Sequence, residues 1–172
     1  MEFELTFLAK EMPPEIKGIS GELFTDTYFP ETGVRHPNLR LRQKGDVREL
    51  TKKIQLADGD ASVHQELTVP LTKEEYSGLV GDNKRSVTKV RYAVSIGGYK
   101  AEVDVFQGAL AGLVLIDFEF PNEDEMRVFV PPPVCLADVT QEDFIAGGVL
   151  AGKCYADLKE QLSLFSYLPI SV

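Results

Sequence analysis

Apolar and charged residues alternate with a period of two in segment after segment of this chain: Glu2-Phe3-Glu4-Leu5, Arg40-Leu41-Arg42, Glu102-Val103-Asp104-Val105 and Asp117-Phe118-Glu119-Phe120. Successive side chains of an extended strand leave on opposite faces, so each segment carries charge on one face and hydrocarbon on the other. The apolar face requires a core. The charged face repeats in β-prone segments with both signs represented, which points to strands curled around a shared, charged interior. Such an interior suits a polyanion and its metal ions.

The same pattern, cut by turn signals, predicts strands over residues 1–9, 21–29, 39–44, 49–56, 63–69, 87–96, 99–106 and 113–120. Gly45-Asp46 and Gly97-Gly98 read as hairpin turns, and Pro30-Glu31-Thr32-Gly33 and Ala57-Asp58-Gly59-Asp60 as loops. Pro13-Pro14 leaves room for a short helical turn to Lys17, and Thr72, followed by Glu74 and Glu75, is an N-cap for a short helix to about Val80. Beyond Phe120 the texture changes. Asn122 to Arg127 is polar, Pro131-Pro132-Pro133 is stiff and extended, and Thr140 opens a helical region. Tyr155, Leu158, Leu162 and Phe165 lie at helical spacing in a C-terminal helix over about 153–166. Roughly eight strands with mostly short connections favour a mainly β, α+β architecture built on an antiparallel barrel with a few peripheral helices. Residues 1–172 read as one domain without repeats.

Composition narrows the setting. The 172 residues are 44% hydrophobic, enough for a core without staples. Charge begins at Glu2 and no apolar stretch approaches membrane-spanning length, so a cytoplasmic protein without a membrane partner is expected. Cys135 and Cys154 are far apart, with no Cys-x-x-Cys spacing and no nearby His, and read as buried hydrophobes. A net charge of −9 argues against a nucleic-acid surface, which needs a basic stripe. Yet Arg35, Arg40, Arg42, Lys44, Arg48, Lys52 and Lys53 crowd one segment against only Asp46 and Glu49. A locally basic segment can hold phosphate without making the whole surface adhesive.

Arg40 and Arg42 share a strand face that Lys44 extends; Lys53 follows on the partner strand, and Lys89 and Arg91 form a third group. Guanidinium groups fork onto phosphate oxygens and lysines act as point charges. The acids pair at the same spacing: Glu2 with Glu4, Glu102 with Asp104, Asp117 with Glu119, with Glu66 beside them. Two carboxylates aimed the same way can share a hard divalent cation, and magnesium or manganese fits. Asp117 and Glu119 sit in a strand preceded by Leu113-Val114-Leu115-Ile116, where buried carboxylates need a cation or another partner. His64 shares a face with Glu66 as a phosphate or proton-handling candidate, while His36, before Pro37, reads as a solvated loop residue. No complete phosphate-binding Gly-x-x-x-x-Gly-Lys-Ser/Thr loop occurs, since Cys154 follows Gly152-Lys153, and neither a dinucleotide fingerprint nor a nucleophile elbow is present.

Taken in order, these segments resemble the CYTH, or triphosphate tunnel metalloenzyme, superfamily. Its Glu-x-Glu-x-Lys, Arg-x-Arg, Thr-x-Lys, Lys-x-Arg, Glu-x-Asp and acidic-x-Glu strands look like Glu2-Phe3-Glu4, Arg40-Leu41-Arg42, Thr51-Lys52-Lys53, Lys89-Val90-Arg91, Glu102-Val103-Asp104 and Asp117-Phe118-Glu119. The run from Glu102 to Phe120, and Asp138-Val139-Thr140 before a short helix, resemble the bacterial triphosphatase branch. Two positions depart from the pattern. Thr6 stands where the first-strand lysine is expected, and about Gly147 stands where the family carries Asn.

The resemblance implies a closed eight-stranded antiparallel tunnel that hydrolyses a triphosphate compound with a divalent metal, inorganic triphosphate being the first substrate to try. Glu2, Glu4, Asp117 and Glu119 would be catalytic and hold magnesium or manganese. Arg40, Arg42, Lys44, Lys53, His64, Glu66, Lys89, Arg91, Glu102 and Asp104 would complete the substrate-binding walls. The implied partner is a small-molecule triphosphate or nucleotide, with a homodimer as an option. Two other functions fit the same motifs: class IV adenylyl cyclisation, which Asp26-Thr27-Tyr28-Phe29 resembles, and non-catalytic binding of polyphosphate or nucleotide, which Thr6 favours.

Overall fold

The computed structural model describes residues 2–35, 37–55 and 61–171. Among the described residues nine strands form one antiparallel sheet: β1 (Glu2–Ala9), β2 (Glu22–Phe29), β3 (Leu39–Lys44), β4 (Val47–Gln55), β5 (Val63–Pro70), β6 (Ser86–Ile96), β7 (Tyr99–Phe106), β8 (Val114–Phe120) and β9 (Cys135–Asp138). The order is β5-β4-β3-β2-β6-β7-β8-β1-β9, and β5 makes a further short pairing with β1, Glu2 opposite His64 and Phe3 opposite Val63. Antiparallel, mainly β architecture is as the alternation predicts. The strand count is nine where about eight were expected, because the stretch after the prolines adds β9 to the edge of β1 through Phe7–Asp138 and Leu8–Ala137.

The hairpin turns follow their residues. Gly97 and Gly98 have φ of 61° and 87°, the left-handed pair that a two-residue turn between twisted strands demands. Thr72 closes a capping box with Glu75 at the start of α1 (Lys73–Val80). Two expectations need correction. Asn122 to Arg127, read as merely polar, holds a short helix, α2 (Glu123–Arg127), capped by Asn122. The C-terminal helix over 153–166 is instead a 3₁₀ turn (Tyr155–Leu158) followed by a short helix (Lys159–Leu164), and α3 (Gly147–Leu150) precedes them; we number the last helix α4. The expected turn at Ala57 to Asp60, and His36, lie outside the described residues.

The faces of the strands decide where the core goes. Phe7 and Ala9 of β1, Ala101, Val103 and Val105 of β7, and Val114, Ile116, Phe118 and Phe120 of β8 form one buried cluster. Phe129 covers it, its ring 4.7 Å from that of Phe118 and 4.8 Å from that of Tyr99. On the opposite face, each strand passes from charge to hydrocarbon along its length: Glu4 and Thr6 give way to Leu8, Arg91 and Lys89 to Val87, Asp104 to Phe106, and Asp117 to Leu115. Leu8, Val87, Phe106 and Leu115 join Leu150, Leu158 and Leu162 in a second core cluster. The C-terminal segments therefore pack hydrocarbon beneath one end of the charged face. Leu150 and Leu158 are fully buried, so this seal is part of the fold.

Candidate active site

A cavity of about 650 Å³ lies against the charged strand faces. Its lining includes Arg40, Arg42, Lys53, Lys89 and Arg91, together with Glu4, Asp26, Glu66, Glu102, Asp104, Asp117 and Glu119. Val87, Phe106, Leu115 and Ile145 also line it and belong to the sealed core, so hydrocarbon forms its floor.

Strand register positions the cations. Asp26 stands opposite Arg42 across β2 and β3, and Arg42 Nε and Nη2 donate to its two carboxylate oxygens, both at 2.7 Å. This planar fork is the geometry that fixes a guanidinium most firmly. Beside it, Arg40 Nη2 donates to Glu66 Oε2 at 3.2 Å, while its buried Nε has no hydrogen-bond partner among the described residues. Arg91 faces Asp104 across β6 and β7, with Nε and Nη2 donating at 2.7 and 2.6 Å. It also bonds Glu102 and lies 3.6 Å from Asp117. Lys89 donates to Asp104, and Lys53 Nζ to Glu4 Oε1 at 3.2 Å.

Burial would push Asp26 upward, but the Arg42 hydrogen bonds and the charges of Arg40, Arg42 and Lys89 outweigh it and hold the carboxyl at about 2. Burial likewise opposes ionisation of Asp104, and Arg91 and Lys89 overcome it to push the group below the usual carboxylate range. Lys89 is lowered by burial and by neighbouring Arg91, with Asp104 only partly offsetting them.

Asp117 shows the opposite balance. Burial, then the charges of Asp104 and Glu4, raise it to about 7 against the opposing pull of Arg91 and Lys89. Its neighbour across β1 is Thr6, whose hydroxyl donates to Asp117 Oδ1 at 2.7 Å. Thr6 supplies a hydrogen bond where a lysine would supply charge. The Thr6 amide in turn donates to Thr140 Oγ1 at 3.0 Å, which ties this strand to the 138–140 turn.

The acidic wall has a donor set suited to a hard cation. Glu4 stands opposite Glu119, and Asp117 opposite both Thr6 and Glu102. Like charges directly opposite repel, and an intervening cation removes that repulsion. Among the described residues, nine carboxylates, counting Glu142 and Asp143 at the 141–148 side, face five cations around the cavity. Among the described residues no three acidic, His or Cys side chains already gather around one point. Glu4 is engaged by Lys53 and Glu119 by Lys100, and a bound divalent ion would displace these lysines. The oxygen-only donors and the raised Asp117 both fit magnesium or manganese.

The fold thus brings Arg40, Arg42, Lys53, Glu66, Lys89, Arg91, Glu102, Asp104, Glu4, Asp117 and Glu119 to one cavity. Lys44 is the exception: it lies outside that lining, 3.5 Å from Glu22 and over the Phe24 ring, because it ends β3 beyond the enclosed span. The side chains of Glu2 and His64 lie outside the described residues. Three contributors escaped the sequence reading. Asp26 is 1% exposed and shares one face of β2 with Phe24 and Tyr28, a signal that was present but lacked a visible partner. Tyr28 is hydrogen-bonded to Arg40. Lys100 reaches Glu119 from β7, which no local pattern announces.

No protein-family model matches the chain. An inorganic triphosphatase of Nitrosomonas europaea is 35% identical over 106 residues, 60% of this chain and 68% of that protein. A crystal structure of an inorganic triphosphatase superposes with a TM-score of 0.63 at 29% identity, covering 88% of this chain and 94% of its own. A putative adenylate cyclase from Bacillus halodurans shares the fold, with a TM-score of 0.54 at 16% identity over 100% of this chain and 93% of its own. With the ordered charged strands and the cavity they line, these relationships place the chain in the CYTH, or triphosphate tunnel, superfamily, on its bacterial triphosphatase branch.

Proposed function

We propose that the protein is a divalent-metal-dependent triphosphatase and that inorganic triphosphate is its substrate. The observation that carries this reading is one cavity in which five buried or half-buried cations and an excess of carboxylates face each other above an apolar floor. The cations match a phosphate chain, and the surplus carboxylates match the metal that such a chain brings. The 35%-identical relative named as an inorganic triphosphatase supports the choice of substrate. The β1–β5 contact supports closure of the first eight strands into a tunnel wall, with β9 outside it.

Arg42, held by Asp26, would grip phosphate oxygens in a fixed plane. Arg40, whose neighbours are Glu66 at 3.2 Å, Asp26 at 3.9 Å and Tyr28, would direct its guanidinium at phosphate beside Arg42. Lys53, Lys89 and Arg91 would exchange carboxylate partners for phosphate oxygens as the chain enters. Glu4, Asp117 and Glu119, with Glu2, would hold magnesium or manganese. When bound, that ion supplies a polarised phosphoryl group and a more acidic attacking water. No side-chain nucleophile is needed: orientation and preorganised charge lower the barrier in phosphoryl transfer.

The test is phosphate release from inorganic triphosphate with magnesium or manganese. Wild-type protein should liberate one orthophosphate per pyrophosphate, and Glu119→Ala and Arg40→Ala should each lose most activity. Formation of cyclic AMP from ATP and manganese as the dominant reaction would replace this reading with cyclisation. Tight calorimetric binding of triphosphate without turnover would replace it with a binding module.

A further inference from the structure

Arg85 precedes β6 and lies outside the cavity lining, yet its guanidinium holds four backbone carbonyls. Its Nη1 donates to Val34 O at 2.6 Å and Pro30 O at 3.3 Å. Its Nη2 donates to Arg35 O at 2.8 Å and Gly148 O at 2.7 Å, and Nε adds Gly148 O at 3.1 Å. One fork therefore joins the loop after β2 to α3, two segments far apart in sequence. Only a planar, multi-donor, permanently charged group can serve acceptors spread in this way.

What Arg85 joins is one wall of the cavity. Pro37 and Asn38 line it from the loop side, and Ile145, Ala146, Gly147 and Gly148 from the other. The fit between them is close. A Cβ on Gly148 would stand 2.5 Å from Pro37 O, and one on Gly147 would stand 2.1 Å from Tyr28 Oη. Tyr28 is hydrogen-bonded to Arg40. Ile145 and Leu150 on the same segment belong to the apolar cluster that seals the floor.

We propose that Arg85 is a positioning and specificity-determining residue: by clamping α3 to the loop after β2, it fixes the closed end of the cavity and restricts the site to short phosphate chains. This rests on the reading of the cavity as a phosphate site. A chain passing Arg40 and Arg42 toward Tyr28 would meet Gly147 and Gly148, packed against Tyr28 and Pro37, with Glu142 and Asp143 rather than a cation on that side of the lining. Releasing the clamp moves the wall and removes the penalty on the longer chain.

The experiment compares kcat/KM for linear inorganic tetraphosphate and triphosphate in wild type, Arg85→Met, Arg85→Lys and Gly148→Ala. A shape-based wall discriminates by about 10- to 200-fold. The tetraphosphate-to-triphosphate ratio should rise at least about tenfold in Arg85→Met. A smaller rise is expected in Arg85→Lys, which keeps charge but loses the fork. Gly148→Ala should reproduce the effect, since its methyl group forces the same contact apart from the other side. A lowered melting temperature with an unchanged ratio in these variants would make Arg85 merely structural and overturn the proposal. Hydrogen exchange of residues 146–152 tests the clamp even if wild type hydrolyses neither compound, an outcome that would sink the triphosphatase reading itself. Faster exchange there in Arg85→Met supports the clamp, and unchanged exchange refutes it.

Discussion

Replacing Asp26 with Asn tests the pair on which the cationic wall of the cavity is built. Asp26 is 1% exposed and Arg42 9%, and two 2.7 Å hydrogen bonds join them. Holding the carboxyl at about 2 instead of 3.8 means that its surroundings favour ionisation by a few kcal/mol. The sign follows from the lowered value. That stability is present above the unfolded carboxyl range and is lost as pH falls from about 4 through about 2. Asn keeps one acceptor but leaves a buried guanidinium without its counter-charge, a loss that typically costs ~3–5 kcal/mol. Because Arg42 faces a cavity and also lies 4.8 Å over the Phe24 ring, we expect the lower part of that range, about 3 kcal/mol. For a domain of this size that is a fall of ~6–12 °C in melting temperature. Urea unfolding at pH 7 of wild type, Asp26→Asn, Arg42→Met and the double variant measures it. The double variant should be more stable than Asp26→Asn, since it removes the stranded charge. A cost under about 1 kcal/mol for Asp26→Asn, or a double variant no better than the single one, would refute the view that this pair is structurally required.

Two other outcomes are expected. Asp117 is raised to about 7 by burial and by Asp104 and Glu4, so the metal-free protein should lose stability as pH rises through about 7, where this group must charge. Melting with a chelator at pH 6 and pH 8 should show that fall, and added magnesium should raise the melting temperature more at pH 8 than at pH 6; equal magnesium shifts would contradict the assignment of Asp117 as a ligand. Thr72→Ala removes the capping box of α1 and should cost about 1 kcal/mol with no change in phosphate release. Differential scanning calorimetry together with the phosphate assay checks both halves.

Period-two alternation was sufficient to read the strands and their charged faces, because side-chain direction in a strand is a local property. The hairpin at Gly97-Gly98 and the cap at Thr72 were legible for the same reason: each is fixed by residues within four positions of itself. Elements held by remote contacts were not. Strand β9 pairs with the edge of β1 at Phe7 and Leu8, and the segment expected to form one long C-terminal helix is divided into a 3₁₀ turn and a short helix, with Leu158 and Leu162 both in the apolar cluster.

The charged residue types, their faces and their order along the chain were determined by sequence alone, and so was the proposal of a phosphate chain held with a hard cation. Tertiary structure decided which opposite charges meet: Asp26 with Arg42, Lys100 with Glu119, Thr6 with Asp117. It also decided that one end of the cavity is closed by hydrocarbon and clamped by Arg85. The physical reason is that pairing depends on strand register and sheet curvature, which are set jointly by contacts across the whole sheet, whereas the facing of a side chain is set by its own backbone.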